Sequence, residues 1–399
     1  MRIVEINTVN FGSTGNIMLG IAEIASSKGH EVIVCVPKSR EKKKKNVSNQ
    51  IFIGNRISRN VHRLLGRITG LQGVFSYYST KYFLKQLEKF RPDIIHLHNL
   101  HGAYINLNLL FRYIQEHNVS TVWTLHDCWA MTGQCPHFTM AKCGRWKTGC
   151  HNCPQLNVYP ESISDRSKWM WKHKREWFTG LHSLTIITPS EWLAQIVHES
   201  YLKEYPVRVI YNGIDLDVFK PTHGDFHERY KISDKFIVLG VAASWGKRKG
   251  LDVFVELSSR LDEKYKIVLV GVTEDAELPK NIITIHHTQN QAELAEIYTA
   301  ADVFVNPTRE EVLGLVNIEA NACGTPVITF KTGGSPECID ETSGMVVECD
   351  NIDEMEQAII NVCENLPYTE ESCRKRAMNF DRNERFGDYV ELYERILTK

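Results

Sequence analysis

The sequence predicts an α/β protein with two doubly wound parallel sheets, one in each half of the chain. Short apolar runs of strand length alternate with helical patterns along most of the 399 residues, as in parallel sheets with crossover helices. The alternation forms two series, separated by turn-forming residues at 212–215 and 221–225. The length suits two domains of roughly 100–200 residues each.

The elements follow from apolar runs of period two and from helical spacing of about 3.6 residues. In the first half we predict strands at 2–7, 31–36, 94–98 and 121–126, with helices at 17–28, 81–90 and 107–117. In the second half we predict strands at 236–242, 266–270, 282–285, 303–307, 326–329 and 345–347, with helices at 251–261, 292–300 and 353–365.

These elements define the expected domains. The first covers residues 1–216 and carries a cysteine-rich insertion at 128–154, the second covers 217–378, and a final helix covers 379–399. Ligands of open parallel sheets bind at the carboxyl ends of the strands. The loops that follow strands are therefore where functional side chains are expected.

Composition excludes several classes of protein. A net charge of −1 with 24% charged residues provides no general attraction for nucleic acid. The start, MRIVE, has an acidic residue where a secretory signal needs an apolar run, and no apolar stretch approaches ~18 residues. We therefore expect a cytoplasmic protein. The 11 cysteines are odd in number, which disfavours a disulfide framework in that compartment.

The most informative stretch is 307–326, PTREEVLGLVNIEANACGTP, which predicts a loop, a helix and a glycine cap. Glu311 and Glu319 flank the helix start, and eight helical residues span about 12 Å, more than the roughly 5–9.5 Å of a hydrolytic carboxylate pair. Backbone amides at the positive helix end are suited to an oxyanion between the two acids. Those amides belong to Leu313, Gly314, Leu315 and Val316.

This pattern resembles the GT-B glycosyltransferases of retaining family 4, whose signature is two glutamates separated by seven residues, followed by a Gly-Thr/Xaa-Pro-Val turn. Two further matches are TGGSPE at 332–337 and Lys249 with Gly250, which open a helix after strand 236–242. The resemblance covers nearly the whole chain. It implies two Rossmann-like domains facing a central cleft, with final helices that cross back onto the first domain.

The resemblance also implies roles in the second half. Glu311 contacts the donor sugar hydroxyls, Glu319 the ribose hydroxyls, and Lys249 the donor diphosphate. A lysine near a helix N-terminus opposes the helix dipole unless an anion binds there. The family's arginine, five residues earlier, is replaced by Ser244, so Arg248 or Lys247 is expected to substitute.

The resemblance further implies retention of configuration. We find no obvious nucleophilic carboxylate, which agrees with a same-face reaction, and charge on the leaving diphosphate would be stabilised by cations and helix amides. No Asp-x-Asp stands at a strand end, so no cofactor is expected for catalysis.

In the first half, the loop after the first strand contains Gly12, Ser13 and Gly15. Glycine and small polar residues let the backbone approach a phosphate or sugar closely, and the resemblance places this loop beside the donor phosphates and the acceptor. His126 ends the strand 121–126 and is similar to the family's active-site histidine. It would orient a sugar hydroxyl or stabilise the transition state, and with Glu311 it forms the predicted catalytic pair.

His96 and His98 end another strand of the first half, at 94–98. They either line the acceptor side or are structural.

A cluster of cysteines stands apart from these motifs. Cys150 and Cys153 have the Cys-x-x-Cys spacing of zinc ligands, and Cys135 and Cys143 precede them. A structural zinc, free buried thiols and a redox role are all open. We expect the insertion to shape access for the acceptor.

Two basic segments indicate contact with an anionic membrane. Residues 38–45 read KSREKKKK, and residues 56–68 show a cationic and an apolar helix face. Each well-placed cation contributes ~1 kcal/mol to such binding. A solvated loop and an ordinary amphipathic helix form the other interpretation.

Together these observations predict a retaining enzyme that moves a hexosyl unit from a nucleotide diphosphate sugar, such as a UDP-sugar, to a hydroxyl of a glycan or lipid-linked glycan. The expected pathway is surface polysaccharide biosynthesis, of capsule or lipopolysaccharide, at the inner face of the cytoplasmic membrane. Two alternatives remain: a nucleotide-sugar epimerase of the same architecture, and a zinc-bearing binding protein without catalysis. The sequence names no base, sugar, linkage or oligomeric state.

Overall fold

A computed structural model describes residues 1–38 and 49–398, which form two compact units. The first unit comprises Met1–Tyr211 and Asn383–Lys399, and the second comprises Asn212–Arg382. The division therefore falls a few residues before the expected boundary at 216, and the final segment joins the first unit from Asn383 onward rather than from 379. Most of the basic run at 38–45 lies outside the described residues.

The first unit contains a sheet of seven parallel strands in the order β3-β2-β1-β4-β5-β6-β7. The strands are β1 (Arg2–Ile6), β2 (Glu31–Val36), β3 (Gln50–Phe52), β4 (Ile94–Leu97), β5 (Ser120–Thr124), β6 (Leu184–Thr188) and β7 (Val207–Val209). Its helices are α1 (Gly12–Ser27), α2 (Arg56–Thr69), α3 (Tyr77–Phe90), α4 (Leu107–His117), α5 (Ser167–Phe178), α6 (Glu191–His198) and, at the carboxyl end, α13 (Arg382–Leu397).

The central strands of this sheet are buried on both faces, as the apolar sequences of β1, β4 and β5 require. Two buried residues with titratable side chains interrupt them, Glu5 on β1 and His96 on β4, which are direct partners in the strand register. Tyr389 and Tyr393 of α13 are buried in the same core. The helix at the end of the chain thus completes the core begun by its first strand.

The second unit contains six parallel strands in the order β10-β9-β8-β11-β12-β13. They are β8 (Phe236–Val241), β9 (Tyr265–Val270), β10 (Ile282–Ile285), β11 (Val303–Asn306), β12 (Val327–Phe330) and β13 (Gly344–Val347). Its helices are α7 (Phe226–Tyr230), α8 (Leu251–Arg260), α9 (Gln291–Thr299), α10 (Leu315–Ala322), α11 (Ile352–Asn365) and α12 (Glu370–Ala377).

Each sheet has one point where the strand order reverses, between β1 and β4 in the first unit and between β8 and β11 in the second. Loops leaving such a pair of strands run to opposite faces and leave a crevice at their carboxyl ends. Candidate site residues follow these strands in both units.

The predicted α/β class is confirmed, and each predicted strand is present within two residues of its expected ends. Strands β3, β6 and β7 were not predicted from the sequence. Within the described residues, none of the helices combines the length and apolar character needed to cross a membrane.

Candidate active site

In the second unit, the loops after β8 and β11 meet at the strand-order reversal. Lys249 ends a 3-10 turn, Lys247–Lys249, that follows β8. Gly250 comes next with φ of +75°, and a Cβ there would lie 2.3 Å from the carbonyl oxygen of Pro307, in the loop after β11. Only glycine permits this approach, so the lysine is held close to the second loop.

The approach brings Lys249 and Glu311 into contact. The ammonium donates to Glu311 Oε2 at 2.5 Å, and both side chains are 20% exposed. The other carboxylate oxygen accepts from the backbone amide of Val312 at 3.2 Å. Partial burial strengthens the ion pair relative to a fully solvated one, and both groups remain accessible to a ligand.

Helix α10 begins four residues after Glu311. Gly314 caps its N-terminus with φ of +96°. The first amides of a helix have no acceptor within the helix and lie at its positive end. Among the predicted amide donors, Leu313 and Gly314 are buried, whereas Leu315 and Val316 are half-exposed. The structure therefore places an anion-binding helix start next to the lysine loop.

Glu319 lies on α10, one turn after its start, so the two glutamates do straddle the helix N-terminus. The hydroxyl of Tyr298 donates to Glu319 Oε2 at 3.1 Å. Burial raises the pKa of Glu319 to about 7, against the opposing effect of that hydrogen bond. Glu319 is thus divided between its acid and carboxylate forms near neutral pH.

A buried polar network, missed by the sequence analysis, fixes this region. Asn317 donates to Ser335 Oγ at 2.9 Å and accepts from Asn306 at 2.7 Å, and Ser335 also contacts Thr329 at 2.7 Å. These bonds tie α10 to the 332–337 loop and to strands β11 and β12. Asn317 could have been identified from the sequence, because asparagine is unusual among the apolar residues of a short buried helix.

The 332–337 loop also packs against the backbone of the first glutamate. Gly333 has φ of +56°, and a Cβ at that position would lie 1.7 Å from the carbonyl oxygen of Glu311. Gly333 of the motif is therefore required by close packing.

The basic side chains around Lys249 have different environments. Ser244 is exposed. Arg248 is half-buried, and its guanidinium donates to the carbonyl of Glu310 at 3.4 Å. Arg309 pairs with Asp252 at 2.8 Å and with Asp350 at 2.6 Å, and these two ion pairs hold its side chain in place. Substitution of the missing arginine by Arg248 stays a prediction.

In the first unit, the glycine loop after β1 opens α1. Gly12 has φ of +68° and, like Ser13, is exposed. Gly15 is buried, and a Cβ on it would lie 2.7 Å from the backbone of Asn10. Gly12 and Ser13 are accessible to a ligand, whereas Gly15 serves the packing of the loop on the helix.

His126, His98 and Glu5 are hydrogen-bonded in series at the ends of β5, β4 and β1. His98 Nδ1 lies 3.0 Å from His126 Nε2, and His98 Nε2 lies 2.8 Å from Glu5 Oε2. Burial would raise the pKa of Glu5, but His96 and His98 outweigh it and lower this pKa to about 2. Glu5 is therefore a carboxylate and can only accept hydrogen bonds.

The Glu5 carboxylate determines which ring nitrogens of His98 and His126 carry protons. Burial, reinforced by His96, lowers the pKa of His98 to about 4, so this ring is neutral at pH 7. Its single proton lies on Nε2, facing Glu5, and its Nδ1 accepts from His126 Nε2–H. Burial and His98 also lower the pKa of His126 well below its ordinary value. His126 is then neutral with its lone pair on Nδ1.

His96 completes the buried cluster. Its Nδ1 lies 2.9 Å from Glu5 Oε2, and its Nε2 lies 2.7 Å from Thr124 Oγ1. Tyr393 donates to Glu5 Oε1 at 3.1 Å. Glu5, His96 and His98 offer three metal-ligating atoms within 4.8 Å of one another. Because these atoms already make hydrogen bonds, a cation there would have to displace them, and His96 fits the structural role.

A second acid and histidine pair borders His126. Asp127 accepts from His101 at 2.9 Å, and His101 also contacts the hydroxyl of Tyr159 at 2.9 Å. Burial would raise the pKa of Asp127, but His101 lowers it to about 2. The sequence analysis did not identify Asp127, His101 or Glu5 as site residues. Glu5 was detectable, because an acid within a buried apolar strand is rare.

The four predicted zinc ligands, Cys135, Cys143, Cys150 and Cys153, border a single cavity of about 20 Å³. None of the chain's 11 cysteines is paired in a disulfide. The cavity lies between β5 and α5, in a region distinct from the Lys249 loop.

Comparisons with known families agree with the resemblance read from the motifs. The sequence model described as Glycosyltransferase Family 4 matches residues 15–218, and the model described as Glycosyl transferases group 1 matches residues 224–380. The first match includes β2 to β7 of the first sheet, and the second includes all six strands of the second sheet.

Individual relatives are similar over most or part of the chain. The putative colanic acid biosynthesis glycosyl transferase WcaC of Escherichia coli K12 is 26% identical over 76% of this chain and 77% of its own. The N,N'-diacetylbacillosaminyl-diphospho-undecaprenol alpha-1,3-N-acetylgalactosaminyltransferase of Campylobacter jejuni is 26% identical over 55% and 62%.

Among solved structures, Anabaena Alr3699/HepE in complex with UDP-glucose superposes with a TM-score of 0.64 at 14% identity, over 98% of this chain and 99% of its own. At that identity the likeness concerns the fold. The comparisons favour neither the epimerase nor the binding protein without catalysis.

Proposed function

Because the chain belongs to Glycosyltransferase Family 4, we propose that it transfers a hexosyl unit, with retention of configuration, from a nucleotide diphosphate sugar to a hydroxyl of a surface glycan. The chain is a glycosyltransferase of GT-B fold. Its donor, acceptor and stereochemistry are the proposed parts. The observation that carries the proposal is the contact between Lys249 and Glu311 beside the start of α10.

The donor binds by replacing the contact between Lys249 and Glu311 with its own contacts to each side chain. Its diphosphate takes Lys249 and the amides at the start of α10, and Glu311 accepts hydrogen bonds from the hexose. Glu319, further along α10, accepts from the ribose hydroxyls. As the glycosidic bond breaks, negative charge grows on the diphosphate, where a fixed cation and oriented amides stabilise it. The UDP-glucose complex of the Anabaena neighbour supports a UDP-sugar as the donor.

His126 orients a sugar hydroxyl. With its proton directed to His98 at 3.0 Å, its Nδ1 lone pair is available to accept a hydrogen bond. The neutral state matters, since a protonated ring would have no lone pair to offer. His98 and Glu5 are positioning residues in this proposal, because they act through His126.

The acceptor is a glycan carried on a membrane lipid. Four aliphatic side chains of α2 are exposed at 75%, 49%, 59% and 46%, namely Ile57, Val61, Leu64 and Ile68, which we call the α2 stripe. The helix also carries four arginines and no acidic residue. Its inward side is polar, with His62 bonded to Ser76 at 2.8 Å.

An exposed apolar stripe flanked by cations is typical of helices that lie in an anionic lipid interface. The lipid-linked acceptor named for the Campylobacter relative agrees with this placement.

The test uses the full chain, labelled nucleotide sugars and polyprenyl-diphosphate-linked glycans. Thermal stabilisation identifies the donor first, at about 2.7 kcal/mol for a ligand at 100 times its Kd. Transfer with retained anomeric configuration, determined by NMR of the product, is expected, and Glu311→Gln should abolish it. Glu341→Gln, an exposed acid of the same unit, is the matched control. Isomerised free nucleotide sugar, or full activity of Glu311→Gln, would contradict the proposal.

A further inference from the structure

Residues 128–166, which we call the cysteine segment, form an unusually long stretch without regular structure. Among the residues described, this segment has no strand or α-helix, and contains only two short 3-10 turns, Trp129–Met131 and Arg145–Lys147. Connections beyond roughly 12–15 residues are uncommon in compact domains unless they are functional or disordered. This one is nevertheless packed inward, since Trp146 is 2% exposed and stacks on Phe138 at 4.9 Å.

Four thiols converge within this segment. Cys135 is buried, and Cys143, Cys150 and Cys153 are partly buried. All four border the same cavity of about 20 Å³, a volume that suits a single ion or water molecule. The remaining cysteines do not line it.

Backbone amides are directed at two of these sulfurs. The amide of Gly133 donates to Cys150 Sγ at 3.2 Å, and the amide of Gln155 faces Cys153 Sγ. Gly133 has no room for a side chain, because a Cβ would lie 2.1 Å from the carbonyl oxygen of Ser167. Donors that face the ligand atoms are the usual outer-shell support of a metal site.

A buried lysine lies next to the thiols. Lys174 of α5 is 0% exposed, and its ammonium donates to the carbonyl oxygen of Thr132 at 2.9 Å and lies 3.3 Å from the ring centroid of Trp129. A buried charge is costly unless an opposite charge compensates it. Four thiolates around Zn²⁺ carry a net charge of −2, which would supply that compensation.

We propose that Cys135, Cys143, Cys150 and Cys153 bind one structural zinc ion that holds the cysteine segment in place. Zn²⁺ takes four thiolates in a tetrahedron at about 2.3 Å from each sulfur, with no position left for substrate. In the described structure no three of these sulfurs lie within 4.8 Å of one another, so binding draws them together. The ion replaces the apolar core that the segment lacks.

The test measures metal in the full chain. We expect about one zinc per chain by mass spectrometry of the metal content. Cys150→Ser and Cys153→Ser should lower it several-fold and expose the 128–166 segment to limited proteolysis. Cys128→Ala, at a buried cysteine of the same segment that does not border the cavity, should retain the metal.

A second measurement, on the wild-type chain, tests the zinc site without variants that could fold poorly. Cobalt(II) substituted into the wild-type chain should give the absorption of a tetrahedral thiolate site, and zinc release should free four reactive thiols. Absence of zinc from protein made with ample metal, disulfides among the four residues in peptide mapping, or unchanged zinc in both serine variants would each overturn it.

Discussion

Lys249 donates to Glu311 across 2.5 Å, so the cation assigned to the diphosphate and the carboxylate assigned to the sugar neutralise each other before a donor arrives. Neither group then remains as an uncompensated charge in a partly buried site. Donor binding exchanges one set of charge-assisted hydrogen bonds for another. A donor that binds here, as proposed, therefore has to satisfy both partners.

Removing the cation should mainly affect chemistry. Lys249→Met takes away a fixed positive charge beside the leaving diphosphate, and losses of a single stabilising donor cost on the order of 10²–10³ in kcat. Steady-state kinetics with the identified donor provide the measurement. Lys331→Met, at an exposed lysine paired with Glu348, is the control. Near wild-type kcat in Lys249→Met would contradict the assignment.

Adding one carbon to the 332–337 loop should displace Glu311. Gly333→Ala introduces a Cβ where the carbonyl oxygen of Glu311 lies 1.7 Å away, at φ of +56°. We expect donor binding to weaken by at least 10-fold, measured by calorimetric titration, with the far-ultraviolet circular dichroism unchanged. Gly144→Ala, where no atom lies within 4 Å of the new carbon, should bind normally. Equal affinity in both variants would show that the loop does not position the carboxylate.

Glu319 should make stability depend on pH. Burial raises its pKa from 4.5 to about 7, so between these values the folded chain holds a proton that the unfolded chain has lost. The free energy of unfolding contributed by this group therefore decreases as pH rises from about 4.5 to about 7. Glu319→Gln should flatten this part of the Tm profile in thermal scans, whereas Glu341→Gln should leave it. A wild-type profile without this decline would disprove the shift.

Glu5 should control the tautomer of His126. Glu5→Gln removes the carboxylate that fixes the His98 proton, and a lost hydrogen bond to a charged group costs about 1.5–3 kcal/mol, or roughly 10–100-fold in kcat. Donor KM should change little. Imidazole nitrogen NMR should show the Nε2–H form of His126 in the wild type and a mixture in the variant. Tyr389→Phe, in the same core, serves as control.

A structural role for Glu5 would give a different pattern. Loss of stability with unchanged kcat, or an unchanged His126 tautomer in Glu5→Gln, would rule out positioning.

The α2 stripe should govern membrane binding. Ile57→Ser combined with Leu64→Ser removes two exposed aliphatic side chains, each contributing roughly 1.5–3 kcal/mol when buried in lipid. Co-sedimentation with vesicles containing anionic phospholipid should fall at least 100-fold in partition. Leu366→Ser, at a residue that is 69% exposed in the second unit, should leave binding intact. Equal binding by all three proteins would exclude α2 as the contact.

Local patterns were sufficient for much of the fold. Buried strands such as β8 are apolar throughout, and Glu311 lies in the loop after its strand as predicted. His126 was predicted to end its strand but lies two residues beyond β5. The short strands β3 and β7, with three residues each, carry too few apolar positions to be recognised. They exist because the neighbouring strands provide hydrogen-bonding edges.

Contacts between residues that lie far apart in the sequence could not be predicted from the sequence. The pairing of Glu5 with His96 depends on β1 lying next to β4, which follows from strand order rather than from either segment. The same holds for Lys249 and Glu311, which β8 and β11 bring together. The motifs predicted candidate site residues in the second unit, whereas the arrangement of the strands in the first unit decides which acid contacts which histidine.

The division of the first unit between the two ends of the chain has a consequence for biosynthesis. Tyr393, on α13, donates to Glu5 on the first strand at 3.1 Å. A ribosome emits residues in order, and domains usually fold as they emerge. Here residues 212–382 are synthesised before the amino-terminal sheet receives its last helix. The first unit, whose synthesis begins first, is therefore the last to complete its core. Substitutions that disturb α13 should therefore damage the histidine cluster on β1 and β4.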